Sequence, residues 1–129
     1  MERKILSVAS LLGMIAIILG AFGAHALKKV LSIEQLNTFE TGVKYQMYHA
    51  LFLLFVGTTS ALSDKAKKAI LSLVFVGVLF FSGSIYLLAT NDLTSFDFKV
   101  IGFVTPIGGL LLISSWIWLF VEVYKKGKH

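Results

Sequence analysis

Seven chemically capable side chains crowd one short stretch of the chain: Glu40, Thr41, Lys44, Tyr45, Gln46, Tyr48 and His49. Ser82, Ser84 and Tyr86 close a later apolar run, Thr105 stands near the start of the last one, and His25 ends the first. An imidazole changes charge near neutral pH, so His25 or His49 beside a carboxylate such as Glu40 could relay protons. The same groups could hold a small polar ligand or a lipid headgroup. They could also serve only to hydrogen-bond helices together, at about 1 kcal/mol or less per bond. Ionisable groups are costly inside apolar segments, and that cost marks this set as the candidate site.

Other chemistries lack their parts. Zinc takes three or four protein ligands, and only His25, His49, Glu40 and Asp92 are at hand, so no metal and no cofactor are expected. There is no cysteine, which removes disulfides and thiolate chemistry. No Ser-His-acid set is evident, and the GAFGAH sequence at Gly20–His25 is neither a nucleophile elbow nor a phosphate loop. Net charge is +5, but the basic residues flank apolar runs instead of lining a groove with interleaved aromatics. A nucleic-acid partner is therefore not expected.

The elements that would position these residues follow from composition. Of 129 residues 57% are hydrophobic and 15% charged, and mean hydropathy is +0.84. Soluble domains carry about 25% charged residues, so the chain belongs in a bilayer. Spanning takes about 20 apolar residues, and unpaired backbone groups in lipid require helices. One all-α membrane domain over residues 1–129 is expected, a four-helix transmembrane bundle with helices near 5–26, 33/41–62, 66–90 and 99–124. The basic start and Ala24-His25-Ala26 resemble a cleavable leader, but Ile5–Ala26 is long enough to span and is read as a retained helix.

Charge orients the bundle. Arg3, Lys4, Lys65, Lys67, Lys68, Lys125, Lys126 and Lys128 collect on one side, against Lys28, Lys29, Lys44 and Lys99 on the other, so both termini are expected in the cytoplasm. Ser32 and Gln35 form a capping box that starts the second helix near Ile33, with a bend expected at Gly42. Either Thr105 caps a helix beginning at Pro106, or a longer helix kinks there. Ala9, Gly13, Ala16, Gly20 and Ala24 are small residues spaced for close helix packing, within the bundle or between subunits. The side chains on the outer part of helix two surround it instead of forming a stripe, so neighbours or water must contact them. His49 then lies roughly 10 Å below a boundary near Gly42. Trp116 and Trp118 are read as interface anchors or lipid-facing bulk.

The motifs GAFGAH, FETGVKYQMYHAL (Phe39–Leu51), FSGSIYLL (Phe81–Leu88) and TPIGGLL (Thr105–Leu111) resemble, in order and spacing, the YgdD/YwdK-like family of small bacterial membrane proteins. The resemblance implies four helices in the bacterial cytoplasmic membrane. The family is a domain of unknown function, so no catalytic residue transfers with it. The expectation is a multi-pass, self-associating, non-enzymatic protein with a site for a polar ligand, lipid headgroup or partner in the outer leaflet half. The alternatives are a small oligomeric transporter or channel and a lipid-modifying enzyme.

Overall fold

A computed structural model describes residues 1–93 and 102–127, apart from the side chains of residues 24, 92, 126 and 127. The expected contribution of Ala24 to packing, Asp92 as a candidate ligand and the start of the last helix at residue 99 therefore lie outside the described side chains and residues. The described residues form helices with no strand. Helix α1, Glu2–Ile18, passes through a wide π-helical turn, Leu19–Gly23, into the short α2, Ala24–Leu27. Then come α3 (Ile33–Thr58), α4 (Asp64–Ala89) and α5 (Val104–Gly127).

Local chemistry explains the boundaries. The Ser32 hydroxyl accepts from the Gln35 N–H at 3.1 Å, while the Gln35 side chain accepts from the Ser32 N–H at 2.9 Å. The capping box thus starts α3 at Ile33. Ser63 caps α4 by accepting from the Ala66 N–H at 3.1 Å, which turns the short inner connection into a helical hairpin. Pro106 falls in the first turn of α5, where its missing N–H leaves no helical bond unmade. The helix begins two residues earlier than a start at Pro106, and Thr105 turns its hydroxyl to another helix instead of capping its own.

Three helices, Glu2–Leu27, Asp64–Ala89 and Val104–Lys125, are long and apolar enough to cross a membrane. The fourth, α3, has the length at 26 residues but not the hydropathy, because Glu40, Lys44, Gln46 and His49 interrupt its apolar residues.

Packing is set by close approaches at glycines. On the α1–α3 face, Gly13 meets Ala50, Gly20 meets Val43 and Gly57 meets Leu6, so the two helices run antiparallel along most of their length. Ala9 and Ala16 are buried on the same face of α1. Gly42 provides a contact: α3 remains helical through it, and a Cβ there would come within 2.7 Å of the Tyr86 ring. At Gly108 a Cβ would lie 2.8 Å from the Phe80 carbonyl carbon and 2.9 Å from the Gly77 oxygen. Backbone therefore meets backbone where α5 crosses α4, the close approach that small residues allow in lipid.

The apolar core joins α1, α3 and α4 through Ile5, Leu53, Val56, Ile70 and Val74, all at zero exposure. At its basic end, buried Lys67 donates to Glu2 at 2.9 Å.

Candidate functional site

The outer half of the bundle is built around Gln46, which is 3% exposed. Its amide nitrogen donates to the Leu12 carbonyl of α1 at 2.8 Å, and its amide oxygen accepts from the Tyr86 hydroxyl of α4 at 2.7 Å. A single side chain thus ties three helices. One turn further out, Ser82 of α4 donates to the Gly42 carbonyl at 2.7 Å. Ser84 donates to the Phe81 carbonyl at 3.0 Å, which leaves the Thr105 hydroxyl to donate to Ser84 and tie α5 to α4.

His49 is 4% exposed and lies deeper. Its Nδ1 is 2.7 Å from the Tyr45 carbonyl, and its Nε2 accepts from the Trp116 indole N–H of α5 at 3.1 Å. A carbonyl can only accept and an indole N–H can only donate, so these partners fit the neutral tautomer carrying hydrogen on Nδ1. Both nitrogens are occupied and neither meets a carboxylate. Phe52 packs against Trp116 at a tilt of 50°, with ring centroids 4.1 Å apart, and supports the indole.

The remaining sequence candidates do not join this network. Tyr45 and Tyr48, 41% and 53% exposed, turn outward with Thr41 and Lys44, their rings 5.6 Å apart. Glu40 is half-buried and forms no ion pair with Lys44, four residues on. His25 is exposed on α2, at the outer end of the first helix. Among the described residues no three His, Cys, Asp or Glu side chains gather as a metal site, and no buried side-chain polar atom lacks a partner.

Beside the network is a lateral cleft of about 330 Å³, bounded by Tyr45 and His49 of α3, Phe81 of α4 and Gly109, Leu112, Ile113 and Trp116 of α5. A second depression of about 440 Å³ continues along the same seam, between Phe55 and Leu119, Phe120, Val123 and Tyr124, with Trp116 shared by both. Trp116 is the functional candidate that sequence reasoning left without chemistry. Its partner is 67 residues away on another helix, and no spacing rule reports such a pair. The Leu12 carbonyl and the Glu2–Lys67 pair escaped for the same reason.

Comparison with known proteins meets the site at this point. A UPF0382 membrane protein of Staphylococcus haemolyticus is 42% identical over 106 residues, covering 82% of this chain and 83% of its own. The UPF0382 membrane protein of Haemophilus influenzae is 36% identical over 125 residues, 97% of each chain. YwdK of Bacillus subtilis, also a UPF0382 membrane protein, is 38% identical over 117 residues, covering 87% of this chain and 89% of its own. No solved structure matches. Residues 19–109, which include all the described polar ties between helices except the Trp116 donor, the Leu12 acceptor and the Glu2 partner of Lys67, match the family described as "Protein of unknown function (DUF423)", and the chain is a member of that family of membrane proteins.

Proposed function

We propose that this protein is a non-enzymatic, multi-pass protein of the cell membrane that binds an amphipathic ligand from the side. The ligand's apolar chain lies in the cleft between α3 and α5, and its polar end rests against Lys44, Tyr45 and Tyr48. The observation that carries this reading is the cleft itself, apolar along α5 and edged by the outward polar face of α3. Mutual satisfaction of the buried polar groups argues against catalysis, since neither His25 nor His49 has a carboxylate partner among the described residues and His49 has no free nitrogen. The charge bias supports this orientation, with both termini in the cytoplasm and the polar face in the outer leaflet half. Conduction through one subunit finds no support in an inner half filled by side chains at zero exposure.

The test uses energy transfer from tryptophan to a polyene fatty acid. In a Trp118→Phe background Trp116 is the sole donor. The expected result is saturable transfer that Gly109→Leu removes by filling the cleft, a site where added carbon meets only ordinary contacts with Phe81. Transfer that never saturates, or that survives Gly109→Leu, overturns the reading.

A second reading is self-association, favoured by the exposed apolar face of α5 at Leu110, Ile113, Ile117 and Phe120. Here a second copy's helix takes the place of the ligand. Light scattering in detergent separates the two: a dimer that dissociates on Gly109→Leu supports the second copy, and a monomer removes it.

A further inference from the structure

We propose a second, separate site: a groove between α1 and α4 at the basic end of the bundle that holds one anionic diacyl phospholipid. The groove is about 240 Å³, lined by Lys4 and Val8 of α1 and by Leu71, Ser72 and Phe75 of α4. Helical phase brings Lys68 to its mouth, since residues 68, 71, 72 and 75 share one face of α4. On the opposite wall Lys4 and Val8 are likewise four apart. Both helices run away from the basic end, so the two ammonium groups flank the opening and the apolar walls extend inward from them.

Three observations favour a phospholipid over solvating hydrocarbon. Lys4 and Lys68 are exposed, and the Lys67–Glu2 pair is the only ion pair among the described residues, so both carry uncompensated charge. Glu2, the acid nearest Lys4 in sequence, is already engaged by Lys67, and Asp64, four residues before Lys68, lies beyond ion-pair distance of it. The Ser72 hydroxyl makes no hydrogen bond within the protein, whereas those of Ser7, Ser10 and Ser114 each donate to the carbonyl four residues earlier. Its hydroxyl is thus left one turn below the lysines, at the depth of a glycerol ester. A phosphate between two ammonium groups, an ester at Ser72 and an acyl chain along Val8, Leu71 and Phe75 match the groove in order. Each basic group near an anionic surface contributes about 1 kcal/mol, so the pair selects charge and the groove selects the chain.

Native mass spectrometry of the full chain released from detergent tests this, with phosphatidylglycerol and phosphatidylcholine of identical acyl chains as probes. The expected result is preferential retention of one phosphatidylglycerol. Lys4→Gln with Lys68→Gln should lower that retention by roughly thirtyfold, while Lys28→Gln with Lys29→Gln, which removes the same charge from exposed positions at the opposite end of the bundle, should leave it within about twofold. Ser72→Phe, which fills the groove and keeps the charges, should also abolish it. Equal retention of the two lipids, or equal loss in both lysine pairs, overturns the site.

Discussion

In the outer half of the bundle Gln46, Ser82, Ser84 and Tyr86 each bond to a group on another helix, whereas in the inner half Ile5, Leu53, Val56, Ile70 and Val74 pack by shape. Lipid tails are as apolar as these side chains, so helices gain nothing in a bilayer merely by hiding hydrophobic surface. The inner half therefore relies on close fit, and many rotations of a smooth apolar helix would fit nearly as well. The outer half removes that freedom. Gln46 accepts one rotation of α1 and α4 relative to α3, because both of its amide groups need their partners. Shape supplies contact, and the polar layer selects one arrangement among several.

The comparison can be broken by substitutions whose expected costs differ, each read as the free energy of unfolding in detergent. The largest effect is expected at Gly108→Val, level with the junction of the two halves, where the added carbons press on α4 backbone. A loss of about 3 kcal/mol is expected, with α5 released from α4. Leu53→Ala in the inner half should cost about 2 kcal/mol through the cavity it leaves. Gln46→Leu should cost about 1.5 kcal/mol, and adding Tyr86→Phe should cost little more, since the orphaned hydroxyl is then gone. If Gln46→Leu proves neutral while Leu53→Ala does not, the polar layer selects nothing. Thr105→Val should be mildest, at about 0.6 kcal/mol.

The basic end offers a sharper contrast without a magnitude. Glu2→Gln should lower the unfolding midpoint by leaving Lys67 buried without its anion, and adding Lys67→Met should restore it. A double variant no better than the single would show that the buried cation is not the cause.

Much of this was readable from the chain. Run lengths placed the helices, Ser32 and Gln35 marked where α3 starts, and Ser63 sits in the short connection that forms the inner hairpin. Helical phase also carried the expectation that neighbours or water must contact the outer part of α3, where helices cover Gln46 and leave Thr41, Lys44, Tyr45 and Tyr48 exposed. Periodicity does not report rotation about each axis, and rotation decides which candidates turn inward. Gln46 and His49 face other helices, while Tyr45 and Tyr48, on the same stretch, face outward. Gly42 shows the same limit: nothing in the sequence pairs it with the ring of Tyr86, 44 residues on, which leaves no room for a Cβ there. The indole of Trp116 answers the imidazole of His49 across two helices, a pairing that only tertiary packing reveals.

The shortfall of α3 in hydropathy has a consequence for how the protein enters the membrane. A segment carrying Glu40, Lys44, Gln46 and His49 partitions poorly by itself, since each charged side chain adds up to about 3 kcal/mol when centred in the bilayer and less toward its edge. Its partner α4 has no such burden and follows after a connection of only 59–63. The expected consequence is that α3 and α4 enter as a single hairpin, with the second helix carrying the first into the bilayer. Separating them with a long polar linker would strand α3 at the surface during synthesis, before any of its finished contacts could form.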